Sequence, residues 1–163
     1  MNAALAALAT RPHDHARCID QAISRAEALC KARGERFTEL RKRVLQIIWH
    51  GHKPVGAYEI MHALTRERGR VAPPTVYRAL DFLVAQGLVH RVHSLNAFVG
   101  CPLAEHDHVA QLFICERCGC TAELASSALD TALDDLARDI GFCIEHRTIE
   151  IAGVCDRCQA TSR

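Results

Sequence analysis

Two cysteine pairs with the spacing C-x-x-C constrain the fold of this chain more than any other feature of its sequence. They are Cys115 with Cys118 and Cys155 with Cys158. Each pair can occupy a tight turn that directs two thiolates at one ion, and four thiolates in a tetrahedral array suit zinc and leave no position open for a substrate. Cys120 lies beside the first pair, but the spacing favours Cys118. Since 36 residues separate the pairs, the sequence predicts a structural zinc site assembled by the fold of the whole segment.

The rest of the sequence predicts a cytoplasmic protein. No apolar run approaches the ~20 residues that span a bilayer, so we expect no membrane partner. The Ala-rich start has neither the basic segment nor the cleavage site of a secretion signal. In a reducing compartment the nine cysteines are not expected to form disulfides. Cys18, Cys30 and Cys143 lie on apolar faces of predicted elements, and we expect them to be buried.

Charge is distributed unevenly along the 163 residues. Residues 1–93 contain 15 Lys and Arg against 8 Asp and Glu, a net charge of +7, whereas residues 94–163 contain 5 against 11, a net charge of −6. This asymmetry indicates that only the basic segment contacts a polyanion such as DNA. Charge runs also occur on ordinary solvated surfaces, so this observation needs support from the fold.

The basic segment has the element order of a winged helix-turn-helix. Apolar periodicity predicts helices over 17–33, 38–51, 57–68 and 76–86, and strands over 88–93 and 97–101. Thr38 is the expected N-cap of the second helix. Three helices followed by a β-hairpin, with one extra helix in front, predict a winged-helix DNA-binding domain. We place this domain at residues 1–100 and expect residues 1–15 to be frayed.

A small α/β dimerisation domain is expected over residues 112–163, after a polar, His-rich hinge over 101–111. The pattern predicts a strand over 112–115, a second strand ending near Leu124, a helix over 126–140 and a last strand over 142–152. The expected fold class is therefore α+β, with an N-terminal winged helix-turn-helix domain followed by a small α/β dimerisation domain.

A second set of candidate metal ligands lies around the boundary between these domains. Its members are His90, His93, Cys101, His106, His108 and Glu123. Imidazole, one thiolate and a carboxylate suit zinc better than calcium or magnesium, whose ligands are oxygens. A zinc enzyme is the competing interpretation, but the deaminase motif needs a proline before C-x-x-C, where this chain has Ile114 and Val154. We therefore expect a metal-binding protein that is not an enzyme.

Three separated motifs, in order, resemble the ferric uptake regulator family. The run PPTVYRALDFL at residues 73–83 resembles the recognition-helix motif, and GLVH follows at 87–90. FICERCG at 113–119 and IEIAGVCDRC at 149–158 complete the pattern. The resemblance covers about residues 20–158. Because Cys101 ends the predicted hairpin and His108 precedes Cys115 by seven residues, the zinc uptake regulator branch is the most similar.

The resemblance implies two zinc ions per chain. The structural site would use the four C-x-x-C cysteines, and the regulatory site would use His90, Cys101, His108 and Glu123. His106 is an alternative to His108, because the linker can slide. A third site using Asp107 and His146, as in some relatives, stays open.

The resemblance also implies a zinc-responsive transcriptional repressor. Its zinc-loaded homodimer would bind a palindromic operator in double-stranded DNA and repress zinc-uptake genes. A sibling sensor of iron, nickel or peroxide is the alternative, and Cys101 is the residue that discriminates between them.

The predicted fourth helix is the candidate DNA-reading element. A recognition helix presents its N-terminal side chains to base edges, so Tyr77 and Arg78 are candidate base contacts, with Thr75 at the entry of the helix. Other residues of the basic segment are expected to contact phosphates, which position a protein without reading sequence. These candidates are Arg36, Arg41, Lys42 and Tyr58.

Overall fold

The computed structural model describes residues 15–51, 53–105 and 108–161. Its helices are α1 (His15–Ala32), α2 (Glu39–Trp49), α3 (Ala57–Arg68), α4 (Pro73–Ala85), α5 (Ser127–Asp139) and α6 (Asp156–Ala160). Its strands are β1 (Val55–Gly56), β2 (Val89–Val92), β3 (Ala97–Gly100), β4 (Gln111–Cys115), β5 (Thr121–Leu124) and β6 (Ile149–Gly153). Within the described ranges, no helix combines the length and apolar character needed to span a membrane. The predicted fraying of residues 1–15 lies outside this description except at His15, where α1 begins.

The N-terminal part, α1 to β3, has the element order expected of a winged helix-turn-helix. α3 has the predicted bounds, and Thr38 caps α2 by accepting a hydrogen bond from the Arg41 N–H at 3.4 Å. β2 and β3 form the antiparallel hairpin, here called the wing. β1 was not predicted, because two residues carry no periodicity, and it pairs with β3 to give a sheet of order β1-β3-β2.

The core of the N-terminal part is formed by the inward faces of all four helices and one face of the wing. In α4, Val76, Ala79, Leu80 and Leu83 are buried, as the helical spacing predicts. Val84, expected on the same face, is 39% exposed. The opposite face of α4 is therefore left to solvent by the packing of the core.

The C-terminal part, β4 to α6, contains a sheet of order β5-β4-β6. β4 pairs antiparallel with β5 and parallel with β6. Ser126 caps α5 by accepting a hydrogen bond from the Leu129 N–H at 3.4 Å. α6 was not predicted from the sequence, since five residues span little more than one turn.

The strand predicted over 142–152 is wrong for residues 142–148, because β6 begins only at Ile149. Arg147 explains the difference: its guanidinium binds Asp130 at 3.2 Å and also binds Asp134, both on α5. These ion pairs hold the segment against the helix instead of the sheet. Cys143 is consequently exposed, and its predicted burial is wrong.

An apolar contact joins the two parts of the molecule. Val92 and Val99 of the wing pack against Leu112 and Ile114 of β4, and all four side chains are buried. Phe98, the neighbour of Val99, belongs instead to the helical core. The wing is therefore covered on both faces, by the helices on one side and by the C-terminal part on the other.

Candidate metal centres and nucleic-acid interface

The two C-x-x-C pairs lie at one edge of the second sheet. β4 and β6 run parallel, with Cys115 paired to Gly153, so the turn after β4 and the segment after β6 leave the sheet side by side. Gly119 closes the first turn with a φ of 71°, a left-handed conformation that favours glycine. The Sγ atoms of Cys118 and Cys155 are 3.7 Å apart. Since zinc–sulfur bonds of about 2.3 Å give a tetrahedron with edges of about 3.8 Å, this spacing fits a thiolate zinc site.

Cys120 belongs to the same cluster, although the sequence spacing favoured Cys118 alone. The sulfur atoms of Cys115, Cys118, Cys120 and Cys155 all lie within 4.8 Å of one another. The Cys158 thiol reaches the cluster from α6 and contacts three of these residues, Cys155, Cys118 and Cys115. The structure therefore brings five sulfur atoms together where the sequence predicted four.

The thiols of this cluster differ in acidity. The backbone N–H of Cys155, whose nitrogen lies 3.4 Å from the Cys115 sulfur, lowers the pKa of Cys115. The backbone N–H of Cys120 lowers the pKa of Cys118 to about 5. Burial raises the pKa of Cys120 and raises that of Cys158 to about 12. The cluster thus combines ready thiolates with thiols that must lose a proton before they bind a metal.

The predicted regulatory residues also meet in one place. His90 lies on β2, Cys101 follows β3, His108 precedes β4 and Glu123 lies on β5, and their ligand atoms are all within 4.8 Å of one another. The His90 Nε2 atom is 3.0 Å from Glu123 Oε1, which His108 also contacts. The Cys101 sulfur is 3.7 Å from His108 Nε2 and 3.8 Å from Glu123 Oε1. We call these four residues the mixed cluster.

The mixed cluster fits a tetrahedral zinc ion. Glu123 is 4% exposed, and its buried Oε2 atom has no hydrogen-bond partner within the described part of the chain. Burial raises the pKa of this carboxyl, but hydrogen bonds and charge from His90 and His108 outweigh burial and hold it below its usual value. Burial, followed by the charge of Glu123, raises the pKa of the Cys101 thiol. Two imidazoles, one thiol and an orphaned carboxylate oxygen are the donor set that zinc accepts, with release of the Cys101 proton on binding.

The structure describes only some of the other candidate metal ligands near the mixed cluster. His106, the alternative to His108, and Asp107, the candidate third-site ligand, lie outside the described residues. His146 is exposed and lines a cavity of about 540 Å³ together with His93 and His108. His93 does not join the mixed cluster.

A carboxylate of the C-terminal part binds the turn of the wing. Glu150 lies on β6, and its Oε1 and Oε2 atoms accept hydrogen bonds from the backbone N–H groups of His93 at 2.6 Å and Ser94 at 3.1 Å. Burial raises the pKa of Glu150, but these hydrogen bonds outweigh burial and hold it below its usual value. Sequence reasoning missed this contact, because a glutamate on a half-buried strand gives no sign of a partner 56 residues away.

The exposed face of α4 carries the predicted base contacts. Thr75, Tyr77 and Arg78 are all exposed, and Tyr77 is 46% exposed despite its aromatic ring. Tyr58, at the start of α3, is 77% exposed. These exposed side chains are therefore available for contact with a ligand.

The basic residues predicted to contact phosphates differ in whether they already have intramolecular partners. Arg36 is exposed. The Arg41 guanidinium lies 3.3 Å from the centroid of the Phe82 ring and donates a hydrogen bond to the Arg36 carbonyl. The Lys42 ammonium lies 2.8 Å from Glu27. Arg41 and Lys42 therefore have intramolecular partners that a phosphate would have to replace.

The sequence matches the model of the ferric uptake regulator family over residues 32–152. This chain belongs to the ferric uptake regulator family. The zinc uptake regulation protein of Escherichia coli (strain K12) is 37% identical over 137 residues, which are 83% of this chain and 80% of that protein. The ferric uptake regulation protein of Brucella abortus biovar 1 (strain 9-941) is 29% identical over 125 residues, which are 72% of this chain and 83% of that protein.

Three solved structures differ in how closely their shape matches that of this chain. A zinc uptake regulator complexed with zinc and DNA has a TM-score of 0.84 at 35% identity and covers 88% of this chain and 97% of its own. Holo XcZur has a TM-score of 0.79 at 40% identity, covering 86% and 99%. Apo XcZur has a TM-score of only 0.51 at 39% identity, covering 86% and 97%. At nearly equal identity, this member of the ferric uptake regulator family is more similar in shape to holo XcZur than to apo XcZur.

Proposed function

We propose that this protein is a zinc-responsive transcriptional repressor that acts as a homodimer on operator DNA in the cytoplasm. The observation that carries the proposal is the mixed cluster, which draws one ligand set from both parts of a molecule shaped like the zinc- and DNA-bound relative. The similarity to zinc uptake regulators supports genes of zinc uptake as the targets. The protein is a regulator and not an enzyme.

Each chain holds two zinc ions. The structural site uses the C-x-x-C cysteines Cys115, Cys118, Cys155 and Cys158. The regulatory site uses His90, Cys101, His108 and Glu123. The first site joins the ends of β4 and β6 and so stabilises the C-terminal part, whereas the second joins this part to the wing.

The mixed cluster couples metal binding to the relative orientation of the two parts. Zinc, when bound there, supplies a single positive centre that four side chains can share. His90 and Cys101 belong to the wing and its end, while His108 and Glu123 belong to the linker and β5. These residues can be brought to one point only when the wing lies against β4. The bound state therefore favours one orientation over all others.

A fixed orientation matters because a dimer reads two half-sites at once. The spacing of two recognition helices must match half-sites one helical turn, or a multiple of it, apart. We assign base contacts to Tyr77 and Arg78, with Thr75 beside them, and phosphate contacts to Arg36, Arg41, Lys42 and Tyr58. Such an arrangement reads a palindromic operator.

The C-terminal part supplies the dimer interface. Leu136 and Ile140 near the end of α5 are 62% and 79% exposed, and Phe142 is 64% exposed. Neighbouring apolar side chains left in water mark an interaction surface. We accordingly divide the chain into a DNA-binding domain at residues 1–100, a hinge at 101–111 and a dimerisation domain at 112–163.

The proposal is tested by following DNA binding across buffered zinc concentrations. A duplex selected from a random library by the zinc-saturated protein serves as the probe, and fluorescence anisotropy reports binding. We compare Cys101→Ser with Cys143→Ser, which makes the same chemical change at an exposed position outside both clusters. Since loss of a partner that merely orients a metal ligand costs ~10- to 100-fold in affinity, loss of Cys101 itself should raise the zinc midpoint by roughly 100-fold or more.

Cys143→Ser should keep the parental midpoint, and both variants should remain dimers. A Cys101→Ser protein that binds the duplex with the parental zinc midpoint would contradict the proposal. The same titration with ferrous and nickel ions tests the sibling sensors. If either ion activates DNA binding at a lower free concentration than zinc, the assignment to zinc is wrong.

A further inference from the structure

Five cysteine sulfurs converge at the end of β4 and β6, one more than a tetrahedral zinc site can use. Cys120 is the additional residue. It is 4% exposed, and its sulfur lies within 4.8 Å of those of Cys115, Cys118 and Cys155. Among the described residues, the four-sulfur group with all sulfur atoms within 4.8 Å of one another contains Cys120 and not Cys158.

A buried cysteine is commonly a small apolar residue of the core, but the surroundings of Cys120 do not fit that role. Its buried cluster consists of Cys115, Cys120 and Cys155, with Cys118 and Cys158 packed against them, and contains no aliphatic or aromatic side chain. The thiol therefore packs against sulfur atoms that bind metal and not against a hydrocarbon core.

The backbone holds Cys120 more firmly than Cys158. The Cys120 carbonyl accepts a hydrogen bond from the Cys115 N–H at 2.9 Å, which closes the turn between β4 and β5. Cys158 lies in α6, a helix of five residues near the end of the described chain, and is only half-buried. A ligand held by a backbone hydrogen bond in a closed turn loses less conformational entropy on binding than one on a short terminal helix.

We propose that Cys120 is a fifth ligand of the structural zinc site, interchangeable with Cys158. Cys115, Cys118 and Cys155 form the constant part of the site, and either Cys120 or Cys158 completes the tetrahedron. The thiol left out keeps its proton and remains in contact with the bound thiolates. The site consequently keeps four thiolates after the loss of either exchangeable cysteine but only three after the loss of both.

The test uses full-length protein in a Cys101→Ser background, so that the mixed cluster contributes no thiolate to the signal. Cys120→Ser, Cys158→Ser and the double variant are compared, with Cys143→Ser as the matched control. Zinc per chain is measured after dialysis against a chelator. In parallel, cobalt replaces zinc, because the sulfur-to-cobalt charge-transfer band grows with the number of bound thiolates. Sedimentation reports the dimer.

Cys120→Ser and Cys158→Ser should each retain chelator-resistant zinc and the cobalt spectrum of four thiolates. The double variant should show three thiolates and lose metal roughly tenfold faster or more, since weakening of a ligand set costs at least that much. A Cys158→Ser protein with three thiolates, or one that loses metal as fast as the double variant, would overturn the proposal.

Alkylation of the zinc-loaded parent gives a second measurement that needs no variant to fold. Mass spectrometry should find Cys158 labelled in part, since Cys120 replaces it as a ligand for part of the time, with Cys115, Cys118 and Cys155 protected. Cys120 is buried and a buried thiol reacts slowly, so Cys158 is the reporter, and its full protection would make Cys120 a bystander and refute the inference. The inference rests on the proposed function only for the presence of zinc. If the parent protein holds no chelator-resistant zinc, the proposed function and this inference both fail. If the parent holds such zinc and the Cys158→Ser variant does not, only this inference fails.

Discussion

Replacing Glu150 with glutamine should weaken the zinc response without touching either metal cluster. Glu150 binds two consecutive N–H groups of the wing turn from β6, at 2.6 and 3.1 Å. The contact lies between the two parts of the molecule, so it stabilises only orientations in which the wing lies against the C-terminal part. Glutamine keeps the shape of the side chain and one acceptor oxygen, but it loses the charge and one of the two acceptors.

The magnitude follows from the kind of hydrogen bond. A hydrogen bond to a charged group contributes about 1.5–3 kcal/mol, and a neutral one about 0.5–1.5 kcal/mol. Glu150 is half-buried and partly screened by water. The substitution should therefore destabilise the orientation in which the wing lies against the C-terminal part by about 1–2 kcal/mol. Such a change corresponds to roughly 5- to 30-fold in an equilibrium constant.

The assay is the anisotropy titration across buffered zinc. The zinc midpoint of Glu150→Gln should rise by roughly 5- to 30-fold, because zinc must now also compensate for the lost contact. At saturating zinc, the affinity for the duplex should return to the parental value, since the metal then holds the orientation alone. Glu145→Gln is the matched control, because Glu145 is exposed and lines a cavity beside the wing.

An unchanged midpoint in Glu150→Gln would refute the argument that this contact stabilises the zinc-bound orientation. Reduced affinity at saturating zinc would instead indicate that Glu150 acts on DNA or on the fold. The cysteine cluster offers an internal check, because its zinc content should not change.

Two further predictions concern the DNA-binding domain. Arg78→Ala should lower the ratio of the affinities for operator and random DNA by roughly ten- to a hundredfold, since a bidentate arginine–guanine pair contributes ~1–3 kcal/mol of discrimination. Arg36→Ala should weaken binding to both DNAs similarly and lower the slope of log affinity against log salt concentration by about one. Equal losses of affinity for both DNAs in Arg78→Ala would make Arg78 a phosphate contact. Gly100→Ala should lower the free energy of unfolding in urea by roughly 1–3 kcal/mol, because the new Cβ would lie 2.3 Å from the Trp49 ring. The substitution should also raise the zinc midpoint of DNA binding, because it displaces the adjacent Cys101. Gly51→Ala, where nothing lies within 4 Å, is the control, and equal stability of the two variants would show that Trp49 yields freely.

Local patterns in the sequence predicted local structure well. Thr38 caps its helix, and α3 has its predicted bounds, because capping and helical periodicity depend on neighbouring residues. The strand expected over 142–148 failed for the opposite reason: Arg147 is drawn to acidic residues on α5. The sequence pattern of residues 142–148 does not indicate that one of them forms ion pairs with another element.

The candidate sites divide in the same way. The C-x-x-C spacing identifies turns, and the family motif led to the mixed cluster, but neither indicates that Cys120 points into the first site or that Glu150 reaches the wing. Both contacts depend on how β4, β5 and β6 are arranged in the sheet. A residue's role in such contacts is decided by tertiary structure, and one sequence carries no local signal for it.

The apolar contact between the wing and β4 has a calorimetric consequence. If the two parts separate in the metal-free protein, Val92, Val99, Leu112 and Ile114 pass into water, and each 100 Å² of apolar surface so exposed raises the heat capacity by about 45 cal/mol/K. Zinc binding at the mixed cluster would reverse this exposure, so the enthalpy of binding there would become more negative as temperature rises. Zinc binding at the cysteine cluster would leave this contact unchanged. Two zinc ions on one chain would thus be told apart by the temperature dependence of their heats of binding.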